Sequence, residues 1–262
     1  MTGHSSFPVE RGMALVLVLW IVAALAVFAS SLGGVVRQEA AVGGVSRNLA
    51  TGRAAGEAAI YLALQRMATR PEALREPVLE PVTLPGGQIV EVEVVPWSGL
   101  VDINGATPEL LAVLFQHAAG LSQGAAMAMA QTIRQARDAM RQQSGSAAGG
   151  WEAPEDLLQV PGMTYGIYAS IRDFVVADSG NRQGINPNAA PQPLRGWLES
   201  AGGAVPAQQG LSGTRYAITA RVLFEGAGMV AVRRMVNVRS GAGVGRLPWS
   251  VLSASQSWIG KI

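Results

Sequence analysis

Side chains able to do chemistry are scarce in this 262-residue chain, which has two histidines, His4 and His117, and no cysteine. Without cysteine there is no disulfide, thiolate nucleophile or cysteine-held zinc. His117 ends the run LLAVLFQH, where an imidazole completes a helix C-terminus more simply than it serves as a general base. No nucleophile elbow, phosphate loop or metal-ligand spacing accompanies it, so no catalytic residue is expected and the chain reads as a non-enzyme. Hard cations have two weak candidate ligands, Asp173 and Asp178, which read first as solvated acids at a helix end. The stretch QQSGSAAGG that follows Arg141 carries no acid at all. Calcium therefore finds few ligands of the type it needs.

The elements that would hold such residues begin with an apolar run. No charge occurs over residues 12–36, and the run follows directly on Glu10-Arg11. Its length matches the roughly 20 helical residues needed to cross a hydrocarbon core. Three fates are open to it. A secretory signal would be cut near Val27-Phe28-Ala29, an anchor would stay uncut, and the short polar leader ending in Arg11-Gly12 resembles that of type IV pilins and pseudopilins, which implies a cut after the glycine, before Met13.

Helical patterning continues to about Thr69, where Arg70-Pro71 stops it. Ile60, Leu64 and Met67 fall on one stripe that could lie on a sheet. The period then changes to two. Val90, Val92 and Val94 alternate with Glu91 and Glu93, and the alternation returns as a pair of strands. Tyr216, Ile218, Ala220, Val222 and Phe224 share one face of the first, and Val230, Val232, Val236 and Val238 share one face of the second, with a turn at Gly226-Ala227-Gly228. Arg234 breaks that alternation and is expected at an edge or rim. The tail after Leu247-Pro248-Trp249 is a further strand or docking segment.

Between these strands the chain is helical, with Pro and Gly breaks, and partly repeats itself. ATPELLAVL leads through Ala119-Gly120-Leu121-Ser122 into an Ala-rich helix; APEDLLQV leads through Pro161-Gly162-Met163-Thr164 into GIYASIRDFV. Each half reads as helix, tight hairpin, helix. Thr107-Pro108-Glu109 supplies a cap, a proline at the first helical position and an acid near the positive end of the helix. A partial third copy, INPNAAP, precedes LRGWL. Trp97 and Trp151 read either as packing at the boundary of sheet and helices or as an exposed partner site, between which the sequence does not choose, and Met127 and Met129 as helix packing, with an adaptable protein-binding surface as the alternative.

In its order of leader, VDINGATPELL, EDLLQVPGM, INPNAAP and closing strand pair, the chain resembles the K-type minor pseudopilins of bacterial type II secretion over nearly its whole length. The resemblance implies an α+β fold, in which a pilin-like long helix and antiparallel sheet are interrupted by an inserted helical domain with helix-hairpin-helix-like repeats. It divides the chain into a leader (1–12), a membrane helix (13–36), the first part of a pilin-like domain (37–97), the inserted domain (98–201) and C-terminal strands (202–262). It further implies cleavage between Gly12 and Met13 by a prepilin peptidase, N-methylation, and a single-pass inner-membrane location with a periplasmic C-terminal domain. Leu17 and Trp20 then belong to the membrane and assembly helix. Pilins carry a glutamate at the position of Leu17, and the K-type class lacks it. The implied place is the tip of a short pseudopilus, beside I- and J-type minor pseudopilins. Some family members carry structural calcium, for which the ligands here are weak.

A membrane-tethered, helix-hairpin-helix DNA-binding protein is the rival reading. Such hairpins grip phosphate through a Gly-hydrophobic-Gly turn, but Thr164 and Ser122 stand where the second glycines would be. Net charge is only +2, and the helical region holds Asp102, Glu109, Asp138, Glu152, Glu155, Asp156, Asp173 and Asp178. Phosphate attraction would be poor, and no nucleic-acid partner is expected.

Overall fold

The structure is a computed structural model that describes residues 10–69, 74–144, 150–179, 184–202, 213–224, 228–239 and 247–260. In the first helix its side chains are described over 15–27 and from 44 onward. The chain divides into two compact units, Met1–Thr51 and Gly52–Ile262.

In the first unit the described chain belongs to helix α1 (Glu10–Thr69). The apolar run is helical throughout, and its described side chains from Leu15 to Val27 are exposed. Among the described residues no helix is long and apolar enough to cross a membrane. The described part of the run, 15–27, is shorter than the roughly 20 residues a crossing needs.

The second unit is built on a five-stranded antiparallel sheet made from β1 (Val78–Thr83), β2 (Ile89–Pro96), β5 (Arg215–Phe224), β6 (Gly228–Val238) and β7 (Trp249–Gly260), in the order β1-β2-β5-β6-β7. Alternation decides which face each residue takes. Val90, Val92, Val94, Ile218, Ala220, Val222, Val230 and Val232 point inward, against Ala59, Ile60, Ala63 and Leu64 of α1. Ile60 and Leu64 are fully buried and Met67 packs at their margin, as the helical stripe predicts. The helix lies close to the sheet because Gly52 and Gly56 carry no Cβ. One built at Gly56 would meet Val232 Cγ2 at 2.6 Å, and one at Gly52 would meet Val230 Cβ at 2.7 Å. β7 runs the length of β6 with a bulge at Met235/Val236, so the tail is a strand. The turn expected at 226–228 falls partly outside the described residues; Gly228 opens β6 with φ +125°.

Among the described residues, all the helices after α1 occur between β2 and β5, which are neighbours in the sheet. This segment starts with a 3₁₀ turn, Trp97–Gly99, and β3 (Val101–Asp102). Helices α2 (Pro108–Ala118) and α3 (Gln123–Ser144) follow, then the turn Pro154–Gln159, α4 (Tyr165–Ile171), β4 (Val175–Val176), the turn Pro187–Ala189 and α5 (Gln192–Ser200). β3 and β4 pair in parallel. The core of the segment is its own, centred on Leu110, Leu114, Phe115, Ile133, Leu157 and Ile171.

The repeat is real in its turns and unequal in its helices. Thr107 Oγ accepts the Leu110 N–H, and Thr164 Oγ accepts the Ile167 N–H, each at 3.3 Å. The two hairpins turn through left-handed glycines, Gly120 at φ +66° and Gly162 at φ +84°, a conformation that costs other residues a steric penalty. The first helix expected in the second half is, however, only a 3₁₀ turn. The Asp156 carboxylate accepts the N–H groups of Glu152 and Ala153 at 2.9 and 3.1 Å, and the extended Val160 stops the turn before an α-helical register is established.

Candidate assembly surfaces

Three surface regions stand out among the described residues. The first is the start of α1, where Leu17 and Trp20 are exposed, at 62% and 74%. Gly12 and Met13 lie in the helical backbone of α1, which begins at Glu10; their side chains, and residues 1–9 of the leader, are outside the described residues. The uncharged surface over 15–27 leaves its apolar groups without a covering layer, an arrangement that suits lipid or other apolar helices rather than water.

The second is the seam holding the helical segment to the outer face of the sheet. Val95, Ala217 and Met235 of the sheet enclose a small core with Leu100 and Val176. Trp97 packs against it, with the Arg215 guanidinium 5.4 Å from its ring centroid. Two ion pairs flank this core. Asp178 Oδ2 accepts from Arg215 Nη1 at 2.7 Å, and Asp173 Oδ1 accepts from Arg233 Nη1 at 3.2 Å. The two candidate cation ligands thus face guanidinium groups and are not convergent on a common point. Among the described residues no three His, Cys, Asp or Glu side chains gather as a metal-holding group. Trp97 is at the sheet boundary, but Trp151 is not: it is buried within the helical segment's own core. The Asn104 side chain pins it there, accepting the Trp151 N–H and donating to its carbonyl at 2.9 and 2.8 Å.

The VDIN motif proves to be a structural staple. Asp102 is buried and accepts from the backbone of Asn104 and from the N–H and hydroxyl of Ser179, at 2.9, 2.7 and 3.0 Å. Burial pushes its pKa up, and those hydrogen bonds oppose the rise. Asn104 also donates to the Ala177 carbonyl. Arg137 and Arg141 of α3 donate to the carbonyls of Ile103, Ala106 and Asn104. Burial lowers the Arg137 pKa. A DNA-binding reading needs cations on the surface, and Arg137 is instead turned into the fold. His117 stacks on Trp197, ring centroids 5.8 Å apart and nearly parallel, in the last turn of α2. Met127 and Met129 pack against the helical core.

The third region was not legible in the sequence. At the β1 side of the outer sheet face, an open groove of about 420 Å³ is lined by Leu79, Pro81, Ile89, Glu91, Arg221 and Leu223. Its signal was present in the outward-facing phase of each strand, but only the register brings those positions together.

Arg234 corrects one expectation. It is neither at an edge nor on a rim, but buried on the inner face of β6, a strand with neighbours on both sides. Arg234 Nη2 donates to Glu57 Oε1 of α1 at 2.5 Å, and Nη1 donates to the carbonyls of Arg233 and Ser255. Arg53 also donates to Glu57, at 2.9 Å. That hydrogen bond first, then the Arg234 charge, holds the Glu57 pKa below its ordinary value.

Compared with known proteins, the chain matches no family model and no curated protein. Among solved structures it is similar to a chain described as belonging to the GspK-GspI-GspJ complex of the enterotoxigenic Escherichia coli type 2 secretion system. Identity is 16% and the TM-score 0.44, over 77% of this chain and 94% of that chain.

Proposed function

We propose that this protein is a K-type minor pseudopilin, a non-enzymatic subunit at the tip of a type II secretion pseudopilus that nucleates assembly and supports protein export across the outer membrane. The observation that carries the proposal is the placement of the helical segment. It is spliced between adjacent strands β2 and β5 of an antiparallel sheet whose inner face is covered by the end of one long N-terminal helix. That helix opens with the uncharged run after Arg11-Gly12. A bulky insert suits a subunit above which nothing stacks. Leu17 suits it too, since a topmost subunit has no terminal amine of a neighbour above it to neutralise. A leucine there also avoids burying an unpaired carboxylate, which costs several kcal/mol.

In this reading a prepilin peptidase cuts after Gly12, Met13 is N-methylated, and the helix from Met13 sits in the inner membrane with the rest of the chain in the periplasm. Its partners are the I- and J-type minor pseudopilins. Mass spectrometry of the membrane-extracted protein tests the reading: a mature, methylated N-terminus at Met13 is expected. A start near Ser30 would mean ordinary secretion and would remove the basis for the assembly role.

A further inference from the structure

No residue of the five-stranded sheet enters the core of the helical segment, whose buried members all fall between Val101 and Leu198. The entry turn belongs to the segment too. Ser98 accepts the Asn186 N–H through its carbonyl at 2.9 Å, and a Cβ on Gly99 would meet the Ala189 carbonyl oxygen at 1.8 Å, so the turn is locked to INPNAAP. Pro96, one residue before this turn, is the last residue of β2 to pair with β5. Sheet and segment therefore meet as two separately packed parts, and Pro96-Trp97 is the natural pivot between them.

The seam that joins them is slight. Leu100 and Val176 on the helical side meet Val95, Ala217 and Met235 on the sheet. Two sheet arginines reach across: Arg215 Nη1 donates to the carbonyl and carboxylate of Asp178 at 2.6 and 2.7 Å, and Arg233 Nη1 donates to Asp173 at 3.2 Å. Both carboxylates are more than half exposed, where an ion pair holds weakly. Arg233 also has a second carboxylate in its own row. Register sets Glu93, Thr219 and Arg233 side by side on the outer face, about 10 Å of backbone from end to end, a span that a glutamate and an arginine close by leaning over Thr219. Glu93 meets Arg221 through Oε2 alone, and Arg233 Nε and Nη2 are buried without a partner among the described residues.

We infer that the seam is a latch: the helical segment swings from the sheet as one body about Pro96-Trp97, and Arg233 exchanges Asp173 for Glu93 as it opens. The exchange keeps the guanidinium paired in both positions, so opening strands no charge. Only the small core of the seam is uncovered. The inference does not depend on the pseudopilin reading above.

The chain has no cysteine, so one buried thiol at a time reports opening through its rate of labelling. The full chain in detergent carries either Met235→Cys at the seam or Ala130→Cys in the segment's own core. The seam thiol should react at least about tenfold faster than the core thiol. Each exposed ion pair contributes about threefold, so Asp173→Asn together with Asp178→Asn should speed seam labelling about tenfold and leave core labelling unchanged. Glu93→Gln alone removes the open-state partner and should slow seam labelling about threefold, whereas Glu91→Gln, outside the Arg233 row, should not change it. Val176→Cys, on the helical side of the seam, repeats the measurement if Met235→Cys fails to fold. Seam and core thiols that react alike in every variant would overturn the latch, because opening would then be unfolding. Acceleration of both thiols together would mean that the segment melts instead of swinging, and seam labelling indifferent to Glu93 would remove the exchange of partners; either result overturns the inference.

Discussion

Arg233 and Arg234 are consecutive on β6, yet they serve opposite faces of the sheet. Arg234 points inward and is fully engaged, with Glu57 and two carbonyls around its guanidinium. Arg233 points outward and meets Asp173 through Nη1, while its Nε and Nη2 are buried without a partner. Burial lowers its pKa, against the pull of Asp173. The inner face is thus a close helix-on-sheet contact in which the buried Arg234 charge is satisfied. The outer face is a patchwork whose polar groups are only partly matched.

The comparison breaks most readily at the glycine contact. Gly56→Val places a branched side chain against Val232, and overpacking of that kind should cost about 3 kcal/mol, read as a fall of roughly 10 °C in the melting temperature. A melt within a few degrees of wild type would mean the helix can lift from the sheet without loss.

Removing one member of the inner ion pair is expected to cost less. Glu57→Ala should destabilise by about 2 kcal/mol, because it leaves the Arg234 charge buried, whereas Arg234→Met, which fills the same space with an apolar group, should stay within about 1 kcal/mol. Equal losses would show that the pair contributes through attraction rather than through compensation. Glu57 also sets an acid limb. Its folded pKa lies below the ordinary 4.5, so its contribution is complete above that value and is lost as pH falls through the lower folded pKa. Glu57→Gln should flatten the stability profile below pH 4.5. Asp102 has the opposite sign: burial raises its pKa above 3.8, so its term favours folding below that value and fades as pH rises.

The smallest effect belongs to the outer seam. Asp173 is mostly exposed, and Asp173→Asn should cost about 0.5 kcal/mol by denaturant titration. A loss several times larger would show that Arg233 depends on this one carboxylate for its burial.

Much of the fold could be read from residue periodicity. The 3.6-residue stripe of Ile60 and Leu64 and the alternation of Val90, Val92 and Val94 report burial directly, because each residue's face follows from its own position in the element. Arg234 was misread because alternation reveals which face a side chain takes and not what waits there; Glu57 lies far away in the chain. The place of Trp151, left open between a boundary and an exposed site, was hidden for a related reason. Its anchor is Asn104, within a motif whose short, local look hides a long-range hydrogen bond.

The sequence by itself determined the uncharged start of α1, the end of that helix near Thr69, the strand phases and the two left-handed glycine turns, all of them local consequences of side-chain type. Only the tertiary structure decided that Asp173 and Asp178 face arginines across a seam, that Gly52 and Gly56 set the approach of helix to sheet, and that Ile89, Leu223, Met229 and Ile259 form one bare row. Those outcomes depend on strand order and register, which bring together residues from β2, β5, β6 and β7 with no regular spacing in the chain.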